Sequence, residues 1–459
     1  MMTTFKNVLL VGIAVSALFA GTGTRAETIN GALARAYASS PDLNAQRASL
    51  RATDEQVPRA RSGYLPRVSA SSSLGQANSA GNVAYSASPY DLTTTPRTVG
   101  VTVTQNLYNG DRTSSQVDAA EKGVLAARAG LRSAEQQVLL NGATQYMNVV
   151  RDEAVVQLRT ANIDVLKEQL RQTQDRFNVG EVTRTDVAQV EAQLAAAEAD
   201  RSSAEANLES SRAAYQQVIG VAPSGLVEAE PVAKRLPVSI EEAFKIGDKE
   251  NPQLVASRIN VEVAEAQVRL VEGEFKPSVD LQGSASQGWE TKYPGDAGRD
   301  FRLLGQVSMP IYEAGEISAR ARAAKETLGQ RRLESDSARD QVRSGVAAAW
   351  SQYETANARV KSAKAQIAAA TIALNGVQEE AKVGQRTTLD VLISDQNLLS
   401  ARVNLVTAQR DRVVSSYQLL AAVGRLSASS LGLAIKAYDP NVHYDATKGR
   451  IAGTDIAGK

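Results

Sequence analysis

Proline is absent from two very long stretches of this chain, and that absence limits the possible fold more than any other feature. The chain has 459 residues and 13 prolines, but none lies between Arg97 and Ala222 or between Ile311 and Asp439. A proline inside a helix removes a backbone hydrogen bond and clashes with the preceding turn, so its absence permits unusually long helices. A helix from Asp111 to Phe177 would be about 100 Å long at 1.5 Å per residue.

Apolar residues follow a heptad spacing along both stretches. In the first stretch the heptad positions are Val117, Val124, Leu131 and Val138, followed by Val149, Val156, Ile163 and Leu170. The longer step from Val138 to Val149 is a stutter, which locally relaxes left-handed supercoiling. The second stretch has the same step from Val342 to Tyr353. The spacing therefore predicts long helices that pack side by side, straight over part of their length and coiled elsewhere.

A Val-Gly pair interrupts each proline-free stretch and predicts the tip of a helical hairpin. The pairs are Val179-Gly180 and Val383-Gly384, and Asp186 and Asp390 follow shortly after them. Glycine is the usual residue for the left-handed conformation that ends a helix, and the helix dipole favours aspartate near the start of the next one. A plain turn would need this glycine too, so the pattern alone assigns no function.

Two pairs of strands precede the long helices. Apolar and polar residues alternate around Val68 to Leu74 and Val99 to Val103, and again around Val279 to Ala285 and Phe301 to Met309. The segment from Gln76 to Pro96 is rich in Ser, Asn, Gly and Pro and predicts a loop. The length and alternation of the strands fit transmembrane β-strands, but a small soluble sheet would show the same pattern.

Aromatic residues flank these strands at both ends, as the interfacial girdles of membrane proteins do. Those on the helix side are Tyr64, Tyr108, Phe275 and Tyr312, and those on the loop side are Trp289 and Tyr293. Four strands cannot close a barrel, and an open sheet edge in lipid leaves backbone groups without hydrogen-bond partners. A membrane location therefore requires several chains to pool their strands.

The order of features occurs twice, which indicates an internal duplication. Ser40-Pro41 and Asn251-Pro252 predict equivalent helix starts. We expect a first structural repeat at residues 27–237, a second at residues 238–424, and a polar, poorly ordered C-terminal tail at residues 425–459. Residues 1–26 predict a secretory signal peptide, because a charged and an apolar region precede a cleavage site with small residues. The mature chain is therefore expected to be exported.

Composition argues against several classes of function. The 51 basic and 50 acidic residues are balanced, which gives no indication of a nucleic-acid surface. The chain has no cysteine, and its single histidine, His443, is expected to be a solvated residue of the tail. No phosphate-binding loop or metal-ligand spacing occurs. We therefore predict no enzyme activity, no catalytic residue, no metal site and no cofactor.

Residues 27 to about 424 resemble the TolC family of outer-membrane channel proteins. The most specific segments are Arg176 to Gly180 with Thr185 to Val187, and Val383 to Thr387 with Leu389 to Leu392. The resemblance implies a mainly α fold with a small β part. Its long helical hairpins would form a periplasmic α-barrel. Its four transmembrane β-strands per chain would be pooled by a homotrimer into a 12-stranded β-barrel.

The same resemblance implies a location, a function and partners. The location is the outer membrane of a Gram-negative bacterium, with an extension into the periplasm. The function is an exit duct for drug efflux or type I protein secretion. Its partners would be outer-membrane lipid, a periplasmic adaptor and an inner-membrane transporter of the RND, MFS or ABC class, with no nucleic acid. A soluble periplasmic coiled-coil or adaptor protein is the alternative, since such proteins also have long hairpins.

The resemblance also assigns roles to the tips. Residues matching the family's adaptor-docking tips are Phe177, Asn178, Val179 and Gly180 in the first hairpin, and Val383 and Gly384 in the second. Asp390 matches the acidic residue that rings the closed periplasmic entrance. Arg386 would latch this gate, with Asp186 as its ion-pair partner. The alternative for both aspartates is a local role at a helix N-terminus.

Two departures from the family pattern affect this gate. Ile393 stands where better-known members carry a second acidic residue, and Ala381 replaces an aromatic residue of the entrance. Asp395 cannot substitute, because five residues at 100° each place it about 140° away from Asp390 around the helix. We therefore expect a gate that is less tightly latched and less dependent on cations.

Overall fold

Helices and strands follow one another in the same order in both halves of the chain. The computed structural model describes residues 27–82 and 89–456. The first half contains α1 (Ile29–Ser39), α2 (Pro41–Asp54), α3 (Gln56–Arg61), β1 (Arg67–Leu74), β2 (Ala77–Asn82), β3 (Pro89–Thr94), β4 (Arg97–Tyr108), α4 (Arg112–Asn178) and α5 (Arg184–Ile219). The second half contains α6 (Ile240–Glu250), α7 (Pro252–Glu272), β5 (Ser278–Trp289), β6 (Ala297–Ser308), α8 (Glu316–Lys382), α9 (Thr388–Ala422), α10 (Ala428–Leu431) and α11 (Pro440–Thr447). The predicted signal peptide lies outside the described residues.

The two longest helices, α4 and α8, have 67 residues each. The predicted helix from Asp111 to Phe177 is therefore confirmed, with each end displaced by one residue. The predicted helix starts are also confirmed, because the side chains of Ser40 and Asn251 accept backbone hydrogen bonds at the beginnings of α2 and α7. Among the helices that the structure describes, none carries an apolar stretch long enough to cross a membrane.

The largest apolar core lies about halfway along α4, where short helices pack around it. Tyr146 and Leu139 of α4 are fully buried there against Leu33 of α1 and Tyr215 of α5. Tyr417 of α9 belongs to the same cluster, so this core joins the two halves of the chain. Beyond it, smaller clusters with small and branched side chains hold the hairpins together.

Four strands form one antiparallel sheet in the order β1-β4-β5-β6. Its cross-strand rows separate by polarity: Val68, Val103, Gly283 and Leu303 lie opposite one another in one row, whereas Ser69, Thr102, Ser284 and Arg302 form the next row on the other face. Neighbouring residues of a strand point to opposite faces, so the sheet has an apolar face and a polar face. Leu303 on the apolar face is 77% exposed in the single chain.

The predicted loop from Gln76 to Pro96 is wrong in part, because it contains the two paired strands β2 and β3. The amide of Gly75 donates to the carbonyl oxygen of Pro96 at 3.1 Å, between the β1–β4 ladder and the β2–β3 ladder. The pairing register continues unchanged from Leu74 opposite Arg97 to Ala77 opposite Thr94. The first hairpin therefore extends as a two-stranded ribbon beyond the four-stranded sheet.

The expectation of a poorly ordered tail is wrong for its described part, residues 425–456. Leu426 and Leu431 are buried in the large core cluster. His443, expected to be solvated, is buried on α11 with its Nδ1 atom 2.9 Å from Oδ2 of Asp54 on α2. The apolar residues of this segment are too few to show a period in the sequence, yet Leu426 and Leu431 pack in a core built mainly by distant helices.

Replacing Leu426 by alanine tests whether the tail contributes to stability. Leu426 is fully buried, so Leu426→Ala should destabilise the protein by about 2–5 kcal/mol through lost burial and a cavity. Val442→Ala is the control, because Val442 is 61% exposed and its loss should cost within about 0.5 kcal/mol. The measurement is thermal denaturation of the purified protein, followed by circular dichroism. Equal denaturation temperatures for the two variants would contradict the structural role of the tail.

Candidate docking and gating site at the hairpin tips

Both hairpin tips use the same backbone turn. Gly180 and Gly384 have φ angles of 78° and 79°, the left-handed conformation that favours glycine. In each tip the amide of the glycine and the amide of the next residue donate hydrogen bonds to carbonyl oxygens at the end of the long helix. Gly180 donates to Phe177 at 2.9 Å, and Gly384 donates to Ala381 at 3.2 Å. The predicted glycine-terminated turns are confirmed.

The predicted docking residues form an exposed ridge at each tip. Val179 is 73% exposed and Val383 is 71% exposed, although both are apolar. A side chain built onto Gly180 or Gly384 would have no neighbour within 4 Å, so the backbone there is open to approach. Phe177 and Asn178, the last two residues of α4, are also exposed. Each tip therefore offers a partner both an apolar side chain and accessible backbone.

An ion pair spans each turn, and the order of acid and base along the chain is reversed between the two tips. In the first tip, Nε of Arg176 on α4 lies 3.1 Å from Oε2 of Glu181, which follows the turn. In the second tip, the acid comes first: Oε2 of Glu380 on α8 lies 2.8 Å from Nε of Arg386. Sequence reasoning missed both pairs. The signal was present as opposite charges on the two sides of each Val-Gly pair.

Asp186 and Asp390 occupy equivalent capping positions. Oδ2 of Asp186 accepts the Thr183 amide at 2.9 Å, and Oδ2 of Asp390 accepts the Thr387 amide at 3.0 Å. Each threonine hydroxyl in turn accepts the amide of its aspartate, which completes a capping box. Within the single chain, Arg386 pairs with Glu380 and not with Asp186, the ion-pair partner that the family resemblance implied.

The capping hydrogen bonds lower the pKa of both aspartates. For Asp186 the larger cause is the hydrogen bond from the Thr183 hydroxyl, and for Asp390 it is the hydrogen bond from the Thr387 amide. A carboxyl group whose pKa is lowered on folding stabilises the fold at pH values above its unfolded pKa, about 3.8. That stabilisation is lost as the pH falls through the lower folded pKa. Neutral pH lies far above the ordinary value of 3.8, so both carboxylates are charged there.

The residues that follow Asp390 differ in their surroundings. Leu392 is buried against Ile163, Leu166 and Val190 of the first hairpin, so it fixes one tip relative to the other. Ile393 is 50% exposed and supplies no charge. Asp395 is half-buried, and burial raises the pKa of its carboxyl group. Ala381 packs in the small cluster between α8 and α9.

The predicted interfacial aromatic residues lie at the two ends of the sheet. Tyr64 and Phe275 end equivalent 3₁₀ turns just before β1 and β5. A bulge after Asn106 places Tyr108 opposite Val279, on the apolar face. Trp289 lies opposite Arg97 in the last row at the loop end, and Tyr293 lies in the following turn. Tyr312, in the link from β6 to α8, is exposed.

No metal site accompanies these features: in the part of the chain that the structure describes, no group of three or more His, Cys, Asp or Glu side chains could hold a metal ion. The candidate site consists of exposed apolar residues, open backbone and charged side chains. Such a set can bind another protein and influence the passage of ions.

Comparisons with known proteins agree with this architecture. The family model described as "Outer membrane efflux protein" matches residues 32–221 and 248–425. The outer membrane efflux protein BepC of Brucella suis biovar 1 (strain 1330) is 39% identical over 448 residues, which cover 96% of each chain. The outer membrane protein TolC of Escherichia coli (strain K12) is 24% identical over 438 residues, covering 92% of this chain and 87% of TolC. The crystal structure of the Campylobacter jejuni CmeC outer membrane channel has a TM-score of 0.77 at 18% identity and covers 92% of this chain and 89% of that one.

The polarity of the sheet, the long hairpins and these likenesses define an outer-membrane export channel built as a homotrimer. The chain belongs to the outer membrane efflux protein family. Its fold combines a helical barrel with a β-barrel shared by three chains, in the outer membrane and extending into the periplasm. Its relatives are channel proteins that work with adaptor partners, and the alternative of a soluble adaptor is not supported.

The capping boxes can be tested one hairpin at a time. Thr387→Ala removes the hydroxyl that accepts the Asp390 amide, which should weaken the first turn of α9 by about 1 kcal/mol. Hydrogen exchange with mass spectrometry should then show faster exchange at the start of α9 only. Thr183→Ala is the matched control and should accelerate exchange at the start of α5 instead. Unchanged exchange in both variants would show that the capping boxes do not hold the tips.

Proposed function

We propose that the tips form the periplasmic mouth of the export duct, where they dock the adaptor and control the entrance. The observation that carries this proposal is the shared turn geometry, in which an exposed valine precedes an open glycine in both tips. A helical partner can approach the backbone closely at such a glycine and cover the valine. The residues proposed for docking are Phe177, Asn178, Val179, Gly180, Val383 and Gly384.

We propose further that Asp390, Arg386 and Asp186 form the gate. Asp390 is ionised at neutral pH, as an ordinary aspartate is, and its capping hydrogen bonds lower its pKa further. Three copies around a threefold axis would place like charges together and attract cations. Arg386 would latch adjacent hairpins through Asp186 when its bond to Glu380 is exchanged. Ile393 contributes no second acidic ring, so the gate should be weak.

The duct is proposed to serve a tripartite system. The upstream partners are a periplasmic adaptor and an inner-membrane transporter of the RND, MFS or ABC class, and the cargo is small molecules, proteins or both. We propose that Tyr64, Tyr108, Phe275 and Tyr312 mark one membrane interface and Trp289 and Tyr293 the other, in contact with outer-membrane lipid. The two repeats, residues 27–237 and 238–424, each supply one strand pair and one hairpin. No catalytic step is part of this function.

Arg386→Ser tests the latch. Removal of the guanidinium should open the entrance and raise single-channel conductance in planar bilayers roughly twofold or more, since the latched population falls. Glu380→Gln is the control, because it removes the partner within the chain and leaves Arg386 in place. Its conductance should not rise above the parental level, because the loss of Glu380 frees Arg386 to pair with Asp186. Unaltered conductance of Arg386→Ser would reject the latch, and an equal rise in both variants would assign the effect to the Arg386–Glu380 pair.

Asp390→Ala tests the charge ring. Millimolar divalent or trivalent cations should block the parent channel only in part, and Asp390→Ala should abolish this partial block. Asp186→Ala is the matched control, since Asp186 has the same capping role in the other hairpin and should leave the block in place. The readout is conductance in planar bilayers across a cation titration. A complete block of the parent that persists in Asp390→Ala would contradict the proposal.

A further inference from the structure

A cleft of about 590 Å³ lies between α3 and the C-terminal segment 448–453, and we call it the tail cleft. Its volume falls within the range of small-molecule sites, about 300–1,000 Å³. Four basic residues line it: Arg59 and Arg61 from α3, and Lys448 and Arg450 from the segment after α11. Glu55 is the only acidic residue in the lining of this cleft as the structure describes it. The cleft is therefore cationic.

Two of these cations have no carboxylate partner among the described residues. Arg61 pairs with Glu121 at 2.7 Å, and Lys448 pairs with Asp445 at 2.7 Å. By contrast, the Arg59 guanidinium donates a long hydrogen bond, at 3.5 Å, to the side-chain oxygen of Gln56.

Among the described residues, Arg450 donates to two backbone carbonyl oxygens, those of Ala452 at 3.1 Å and of Asp455. Two guanidinium groups, from distant parts of the chain, thus lie at the cleft without an ion-pair partner in residues 27–82 and 89–456, although Glu55 also lines it. Guanidinium groups bind phosphate groups with paired hydrogen bonds, so a phosphate would satisfy both the charge and the donors.

The position of the cleft in the fold points to a membrane surface. Tyr64 and Leu65, which also line the cleft, come just before β1, and the apolar face of the sheet begins at Val68. The side chain of Gln105, on the same face of β4 as Val103, donates to the carbonyl oxygen of Tyr64 at 3.0 Å. The cleft therefore opens at the helix-side end of the apolar face.

The order in which the tail helices pack indicates that the cleft faces outward from the channel. The helix α11 packs on α2, which packs on α4, so the tail forms an additional layer over the helical wall. A second layer on the inner side would obstruct the duct, whereas a layer outside leaves it open. Ile451 of the cleft is 80% exposed, an apolar residue directed away from the protein core.

We propose that the tail cleft binds the anionic headgroup of a phospholipid from the periplasmic leaflet of the outer membrane. Arg59 and Arg450 hold the phosphate, and Leu65 and Ile451 contact the first part of the acyl chains. A soluble anion would use the two arginines but not the exposed apolar residues beside them, so a lipid fits the whole cleft better. The proposal rests on the membrane location of the sheet and assigns a structural role to the C-terminal segment.

Lipid retention by the purified full-length trimer tests this site. The trimer is incubated with phosphatidylglycerol, with phosphatidylcholine or with inorganic phosphate, and bound lipid is counted by native mass spectrometry. The parent should retain phosphatidylglycerol in preference to phosphatidylcholine. The double variant R59Q/R450Q should lose on the order of tenfold in phosphatidylglycerol binding, since two cations near the surface are removed. R59K/R450K, which keeps the charges, should retain most of it.

The double variant K361Q/K364Q is the matched control. It removes two exposed cations from α8, about 70 Å along the helix from the sheet at 1.5 Å per residue, and should bind lipid like the parent. Equal retention by R59Q/R450Q and this control, or equal binding of the two lipids, would overturn the proposal. Competition by inorganic phosphate at the same concentration would show a site for a soluble anion instead and would overturn it too.

Conductance of the same preparations separates this proposal from the proposed function. A trimer of R59Q/R450Q that conducts like the parent but has lost phosphatidylglycerol supports the lipid site. If the parent itself retains the lipid but conducts no ions, the proposed duct fails and the lipid site stands.

Discussion

The free edges of β1 and β6 are the constraint on which the rest of the assembly depends. Within the chain these strands each pair on one side only, and in a membrane each unsatisfied backbone group costs several kcal/mol. Because every pairing in the sheet is antiparallel, β1 and β6 run in opposite directions, so β6 of one chain can continue the pattern with β1 of the next. Each strand pair leads into a helix of 67 residues. Closing the strands into a ring therefore also arranges the long helices in a ring.

Sequence was most informative where structure depends on neighbouring residues. The lengths of α4 and α8 followed from the absence of proline, and their C-terminal ends followed from the Val-Gly pairs, which act within one turn. The β2–β3 ribbon could not be predicted this way, because its Ser-, Asn- and Gly-rich composition indicates turns. It forms because the adjoining β1–β4 ladder already aligns the two segments, which reduces the conformational entropy lost on further pairing. The ordered packing of the tail was not predicted, because Leu426 and His443 are buried by partners far away in sequence.

At the candidate site, too, the local features of the turn were predictable from sequence and the ion-pair partner was not. The left-handed glycines and the aspartates near the helix starts were predictable, since both are local requirements of the turn. The partner of Arg386 was not, because the family resemblance suggested Asp186, whereas the turn itself brings Glu380 within 2.8 Å. A tight turn returns the chain over the end of its helix, so charges on either side of it meet. This competition within the chain is what a latch between hairpins has to overcome.

The two tips share the same backbone turn, and their ion pairs distinguish them. A partner that contacts the exposed valines and the open glycines meets nearly the same surface in both tips. Arg176 precedes the first turn and Arg386 follows the second, so the order of base and acid differs between the two tips of the chain. In the proposed docking, shape would therefore not distinguish the two tips, whereas the order of their charges would. The two tips thus share one backbone turn and differ in the order of acid and base across it.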